Sequence, residues 1–211
     1  MNRITAIRPQ KKDGSRVSIF VDDEFRLGCA AKLVKEQGLV VGAILDDQQS
    51  RRLQEADELS QTKAAALRLL GHRARTKSDL TKRLQRKNKF ADDTIANAVQ
   101  WLVDLGYVND MQYARDRLAG LVQAADRGRR GLVEKLVSEG VARAAARELV
   151  EATVSVEDEA QWAHQLAQQK ASRMADKPWS KVKPNIASYL HRHGFEGEHI
   201  WSALEALDAD N

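Results

Sequence analysis

The side chains of this sequence that are best suited to chemistry are cationic, and they are concentrated in two short segments. The first is opposed only by Asp79 and contains Arg73, Arg75, Lys77, Lys82, Arg83, Arg86 and Lys87. The second runs from Arg127 to Gly131 and contains Arg127, Arg129 and Arg130. Guanidinium and ammonium groups bind phosphate and carboxylate through charge-assisted hydrogen bonds. Both segments are therefore predicted to bind an anionic partner, and the glycine-flanked run is predicted to be a mobile basic loop.

These basic segments contrast with the charge balance of the whole chain. The 211 residues include 34 Lys and Arg and 30 Asp and Glu, which gives a net charge of +4. Residues 61–109 hold 10 basic and 4 acidic residues, whereas residues 155–211 hold 6 and 9. A solvated helix face normally mixes charges of both signs, because like charges repel each other. The local excess indicates a surface for a polyanion or for an acidic protein.

Catalytic and metal-binding patterns receive little support. The sequence contains none of the common phosphate-loop, dinucleotide-binding, zinc-protease or serine-hydrolase motifs. His191 and His193 are two residues apart and would point to different faces of a helix, so a shared metal is not expected. The single cysteine, Cys29, is predicted to be a small buried apolar residue. We therefore expect no enzymatic activity and no metal or other cofactor, and a nucleic-acid enzyme with a dispersed site is the weakest alternative.

The elements that must position the cations are predicted to be helices. Aromatic residues make up 5% of the chain, and it has only 3 Pro and 12 Gly, so a sandwich or barrel with many turns is not expected. Hydrophobic residues make up 43%, which is enough for a core. No apolar run is long enough to span a bilayer or to act as a signal peptide, so we expect a cytoplasmic protein that does not bind membranes.

The N-terminal residues are predicted to form a small β-hairpin. Val17, Ile19 and Val21 alternate with Ser18, Phe20 and Asp22. Residues 4–7 supply a partner strand, and Asp13-Gly14 supplies a turn. Short helices are expected over residues 29–37 and from position 46 or 47 to about residue 56. The hairpin must pack on such a helix, because an isolated hairpin is marginally stable in water.

From about residue 61 onward, the sequence repeats itself with a period near 50 residues. Leu132 follows Leu80 by 52 residues, and Ile186 follows Leu132 by 54 in an equivalent apolar pattern. A period of this length holds about three helices. The predicted fold is mainly α, an elongated tandem array of three three-helix, helix-turn-helix-like repeats after the hairpin. The predicted segments are 1–60 for the hairpin and short helices, 61–109 for repeat 1, 110–154 for repeat 2 and 155–211 for repeat 3.

Capping residues and tryptophans add detail to the repeats. Thr76–Asp79 fits the S/T-x-x-D/E pattern of a helix start. Asp92 or Asp93 is predicted to cap the next helix, and Asn109 or Asp110 the one after it. The tryptophans are predicted to anchor the cores of the repeats rather than to stack on nucleic-acid bases. They are Trp101, Trp162, Trp179 and Trp201.

Several motifs, taken in order, resemble the bacterial RecX family of regulatory proteins. They are Ile4–Lys12 and Val17–Phe25, Ala66–Leu80 with Leu84, Leu105–Asp110 with Tyr113 and Ala114, and Gly128–Leu132 with Leu136, Gly140 and Val141. The resemblance covers nearly the whole chain, and its specificity comes from the ordered set. Two positions depart from the family pattern: no glycine precedes Phe90, and Asn109 replaces a common aspartate. The second change exchanges one good helix-capping residue for another.

The resemblance implies a modulator of RecA, the bacterial recombinase, with roles in DNA repair, recombination and the SOS response. Such a protein binds the RecA filament on single-stranded DNA and suppresses its ATP hydrolysis, strand exchange and growth. Carried over by motif, the site comprises Arg73, Arg75, Arg129 and Arg130, with the other cations in support. We expect a monomer whose partners are the RecA filament and single-stranded DNA, with double-stranded DNA as a further candidate.

Two questions stay open at the level of the sequence. The basic positions could meet either DNA phosphate or an acidic surface of RecA. The protein could also be a helix-turn-helix-like transcription regulator, because a short cationic helix follows Thr76. Tandem units within one chain count against this alternative, since most such regulators obtain their two half-sites by dimerisation.

Overall fold

The computed structural model describes residues 2–86 and 89–209. The chain divides into two compact units, Met1–Arg73 with Leu80–Tyr107, and Ala74–Asp79 with Val108–Asn211. The strands are β1 (Ile4–Gln10), β2 (Asp13–Val21) and β3 (Glu24–Ala30). The helices are α1 (Ala31–Glu36), α2 (Asp47–His72), α3 (Lys77–Gln85), α4 (Asp92–Asp104), α5 (Asp110–Ala124), α6 (Arg129–Ser138), α7 (Arg143–Thr153), α8 (Val156–Ser172), α9 (Trp179–Arg192) and α10 (Gly197–Ala209). The predicted mainly helical fold is confirmed.

The N-terminal sheet has three antiparallel strands in the order β1-β2-β3, which corrects the predicted two-stranded hairpin. The turn into β3 is formed by Asp22 and Asp23, whose φ angles of +50° and +70° suit a tight hairpin turn. Because β3 continues through Cys29, the helix predicted to start there begins only at Ala31. Gly28 and Ala30 have low strand propensity, which is why the third strand was not predicted.

A buried ion pair joins the sheet to α2 in the first unit. Arg16 donates from Nη1 and Nη2 to the two carboxylate oxygens of Asp57, at 3.1 and 2.7 Å. The backbone N–H of Ala30 and the side-chain amide of Gln61 donate to the same carboxylate. Burial alone would raise the pKa of Asp57, but these hydrogen bonds, chiefly that from Arg16, hold it below its usual value. The carboxylate is therefore an ionised anchor between strand and helix.

α2 is one helix of 26 residues, which corrects the short helix predicted to end near residue 56. It begins with a reciprocal capping box at Asp46, and the predicted boundary between residues 60 and 61 falls inside it. Its C-terminal half packs against α4, where the Lys63 ammonium lies 4.5 Å from the centre of the Trp101 ring. α2 therefore supports both the sheet and the helices that follow it in the first unit.

In the second unit, α5, α6 and α7 form one three-helix bundle, and α8, α9 and α10 form another. The repeated apolar positions are core positions: Leu132 and Leu136 of α6, and Ile186 and Leu190 of α9, are all 0% exposed. The periodicity therefore predicted correctly which faces of these helices are buried.

Two of the predicted helix caps are confirmed and one is wrong. The Oγ1 atom of Thr76 accepts from the backbone N–H of Asp79 (3.2 Å), and the side chain of Asn109 caps α5. The N-cap of α4 is Ala91 instead of Asp92 or Asp93, which both lie in the first helical turn. Carboxylates in that turn still favour the helix through its dipole.

Candidate functional site

The basic run at residues 127–131 lies at a close junction between the two bundles of the second unit, and it is not the mobile loop that was predicted. Gly128 is the N-cap of α6, and its N–H donates to the carbonyl oxygen of His193 (3.1 Å), the C-cap of α9. A Cβ atom added at Gly131 would lie closer than 3.0 Å to that same oxygen, and one added at Gly194 would meet the Gly131 backbone. The glycines are therefore needed because two backbones touch here.

An equivalent junction occurs within the same unit, where its segment Ala74–Asp79 meets the end of α6. Thr76, which caps α3, donates its Oγ1 hydroxyl to the carbonyl oxygen of Glu139 (2.7 Å), the C-cap of α6. Gly140 follows with a φ of +98°, and a Cβ at this position would clash with Thr76. At both junctions, an N-cap residue donates to the carbonyl oxygen of a later helix's C-cap residue, beside a glycine with a positive φ angle.

The second junction creates a basic groove of about 300 Å³ where the start of α6 meets the end of α9. We call it the junction groove, and its charged or titratable lining residues are Arg127, Arg130, Glu134, Lys135, His191 and Arg192. Arg130 donates from Nη2 to the carbonyl oxygen of His191 (3.2 Å), so its guanidinium is oriented by the end of α9. His191 and Arg192 follow Arg130 by 61 and 62 residues and were not predicted as site residues.

Glu134 is the acidic residue among the described residues that line the junction groove, and it forms an ion pair with an arginine. Arg143 of α7 binds the Glu134 carboxylate with both terminal nitrogens, one of them at 3.0 Å from Oε2. The hydrogen bond from Arg143 lowers the pKa of Glu134, so the carboxylate stays ionised and paired. The groove therefore keeps a positive potential, to which Arg130 and Arg192 contribute from its two walls.

Lys135 at the edge of the groove belongs to a second charge cluster. Its ammonium lies 3.1 Å from the carboxylate of Glu139, which also accepts hydrogen bonds from Tyr113 and from Arg117. Burial alone would raise the pKa of Glu139, but the hydrogen bonds from Arg117, Lys135 and Tyr113 hold it below its usual value. This cluster fixes the C-terminal end of α6 and reduces the positive charge that Lys135 can offer.

A buried carboxylate completes the start of α6. Glu159 of α8 is 1% exposed and accepts from the backbone N–H of Arg129 at 3.2 Å. It supplies the cap that Gly128, which has no side chain, cannot provide. Burial raises the pKa of Glu159, although the Arg129 N–H and His199, with Nε2 at 3.9 Å, act in the opposite direction. Glu159 thus fixes the backbone of Arg129 and thereby helps to place the next residue, Arg130, at the junction groove.

Comparison with known proteins relates the whole chain to one family. Residues 2–46 match the model of the regulatory protein RecX N-terminal domain, and residues 63–102 match that of the RecX first three-helix domain. The regulatory protein RecX of Clostridium perfringens strain 13 is 30% identical over 215 residues, which cover 98% of this chain and 97% of that protein. The chain belongs to the RecX family. It therefore has the regulatory role by which the family is named.

Two solved RecX structures share the fold. One, described as the crystal structure of regulatory protein RecX, superposes with a TM-score of 0.72 at 19% identity, over 98% of this chain and 100% of its own. RecX from Lactobacillus salivarius superposes with a TM-score of 0.61 at 23% identity, over 73% of this chain and 99% of its own. The helical arrangement around the junctions is thus a RecX-family fold.

Arg75, which the RecX resemblance placed in the site, is buried. It is 8% exposed, and its Nη1 atom lies 2.8 Å from Oδ2 of Asp79, four residues later. A guanidinium that is enclosed and paired in this way is held by its own helix start. The structure therefore gives Arg75 a role in fixing the start of α3.

The other predicted cations differ in their placement. In the first unit, Arg73, Lys82 and Arg86 are exposed and Arg83 is half-buried, whereas Lys87 lies outside the described residues. In the second unit, Lys77 is exposed, and Arg127 and Arg130 line the junction groove. Arg129 lines an adjacent groove of about 460 Å³, which Arg130 lines as well. Each of the two grooves thus brings together two of the three predicted cations of the second segment.

Among the residues that the structure describes, 2–86 and 89–209, no helix is long and apolar enough to cross a membrane. These residues also contain no group of three or more His, Cys, Asp or Glu side chains arranged to hold a metal ion.

Proposed function

We propose that this protein binds the RecA filament on single-stranded DNA and inhibits its ATP hydrolysis, strand exchange and growth. The observation that carries the proposal is the similarity to a regulatory protein RecX over 98% of the chain. The protein is proposed to act in the cytoplasm as a monomer. It requires no catalytic group of its own, because it acts by binding.

The exposed cations supply the contacts in this proposal. Lys82 lies on α3 and Arg86 directly follows the last residue of that helix, with its N–H donating to the Lys82 carbonyl oxygen (3.1 Å), so the two exposed cations share one face. Arg130 and Arg192 both line the junction groove. A filament presents the same anionic groups at regular intervals. Several weak contacts from one chain then add through their effective concentration, so binding can be tight although each contact is weak. Arg75 is left out of this set because it is buried.

The test is the single-stranded-DNA-dependent ATP hydrolysis of RecA with added protein, together with co-sedimentation with the filament. We expect inhibition at micromolar protein, and weaker inhibition by the double variant Lys82→Glu with Arg86→Glu. Lys12→Glu is the matched control, because Lys12 is exposed in the turn between β1 and β2. No association and no change in hydrolysis would contradict the proposal. Sequence-selective binding to duplex DNA without RecA would favour the transcription-regulator alternative.

A further inference from the structure

Trp201 of α10 is not the core anchor that the sequence predicted. It is 59% exposed, which is unusual for so large an aromatic side chain. It borders an open groove of about 330 Å³, which we call the tryptophan groove, lined by Ala187, Ser188, His191, Gly197, Ile200 and Trp201. The indole thus presents a flat aromatic surface beside a mainly apolar depression.

The tryptophan groove adjoins the junction groove, because His191 lines both. An aromatic surface on one side of His191 is therefore continuous with the cations Arg130 and Arg192 on the other side. A nucleotide has the matching chemistry, since its base has a flat π-face and its phosphate carries a negative charge. The base must be unpaired to expose that face, so the surface fits a single strand better than a duplex.

We infer that this surface binds single-stranded DNA, with one base stacked on Trp201 and the adjoining phosphates held by Arg130 and Arg192. The inference deepens the proposed function, and the choice of DNA as the nucleic acid rests on it. Glu198 and Glu205 lie three residues before and four residues after Trp201, on the same side of α10. Their negative charges repel phosphate, so the backbone of the strand is confined to the side of His191.

The experiment measures binding of a fluorescein-labelled oligothymidylate by anisotropy in the absence of RecA. Trp201→Ala is expected to weaken binding roughly 5- to 160-fold, the range that corresponds to the loss of one stacked base. Trp201→Phe retains a ring and should recover part of this loss. Because Trp201 is exposed, both variants should keep the helix content of the native protein, as checked by circular dichroism.

Salt dependence separates the two kinds of contact. The double variant Arg130→Ala with Arg192→Ala should reduce the slope of log affinity against log salt by about 1.4, at about 0.7 for each lost phosphate contact. Trp201→Ala should leave this slope unchanged. Lys181→Ala is the matched control, because Lys181 is an exposed cation of α9 that does not line the junction groove. Glu205→Gln should tighten binding by removing a repulsive charge.

Native affinity in Trp201→Ala would overturn the inference. If Trp201→Ala keeps its oligonucleotide affinity but binds the RecA filament more weakly, the tryptophan groove holds a protein instead, and the inference is also overturned. Weaker oligonucleotide binding by Glu205→Gln would also overturn it. Trp201-dependent binding of the oligonucleotide without any inhibition of RecA would instead support the inference and contradict the proposed function.

Discussion

Gly131→Ala should destabilise the second unit, although alanine is normally the better residue in a helix. Gly131 is the third residue of α6, and a Cβ there would fall closer than 3.0 Å to the carbonyl oxygen of His193. The obstructing atom belongs to the backbone, so no change of rotamer can relieve the clash. The start of α6 must therefore move away from the end of α9.

The size of the effect follows from two opposing terms. Overpacking costs about 1–3 kcal/mol, and the upper part of this range applies because both partners are backbone. Replacing glycine by alanine within a helix offsets about 0.5–1 kcal/mol. We therefore expect the free energy of unfolding to fall by about 2 kcal/mol. The junction groove should open as well, because it depends on the same contact between α6 and α9.

Gly120→Ala is the matched control. Gly120 lies on the exposed side of α5, and a Cβ there would have open space around it. The same substitution should raise the free energy of unfolding by about 0.5–1 kcal/mol. Urea denaturation followed by circular dichroism measures both variants, and hydrogen exchange should become faster in α6 and α9 of Gly131→Ala only. Equal stability of the two variants would refute the steric account of the junction.

Three further predictions concern the first unit. Asp57→Ala leaves Arg16 without its buried partner and should lower the free energy of unfolding, measured by urea denaturation, by about 3 kcal/mol. The pKa of Asp57 is lowered in the folded state. The stabilisation by this carboxylate is therefore present above its unfolded pKa of about 4 and is lost as the pH falls through its folded pKa. Cys29, which is 0% exposed and whose pKa burial raises to about 11, should react with a thiol reagent at pH 8 only after unfolding. Leu84→Ala should lower the unfolding free energy by about 2–5 kcal/mol, since Leu84 is 0% exposed, and a smaller loss would contradict its place in the core.

The helices, their buried faces and most of their caps could be predicted, because these features depend on residues close together in sequence. Leu132, Leu136 and their equivalents follow the helical period, and Thr76 and Asn109 cap through neighbouring N–H groups. The long α2 was missed because its stability comes from packing against the sheet and against α4, which no local pattern records. The third strand was missed for a similar reason, since its pairing with β2 overrides a weak propensity.

The candidate site was only partly predictable. Arg127 and Arg130 were found as a basic run, but His191 and Arg192 reach the junction groove through tertiary packing between α6 and α9. The burial of Arg75 had a local signal, because Asp79 lies four residues later at the spacing of a helical ion pair. Charge density alone therefore indicates neither that Arg75 is buried nor that His191 lies beside Arg130.

The two junctions of the second unit share one geometry and differ in charge. Thr76 at the first and Gly128 at the second occupy equivalent N-cap positions, and the carbonyl oxygens of Glu139 and His193 are their equivalent acceptors. The residues just before those acceptors decide the electrostatics, and they are Val137 and Ser138 at the first junction and His191 and Arg192 at the second. Arg75, directly before the first N-cap, is enclosed in an ion pair with Asp79, whereas Arg127, directly before the second, lines the junction groove. The same backbone contact therefore occurs twice in the second unit with different side chains beside it. Exchanging His191 and Arg192 for valine and serine should therefore weaken anion binding at the second junction, where Arg130 remains, without changing the packing that the glycines maintain.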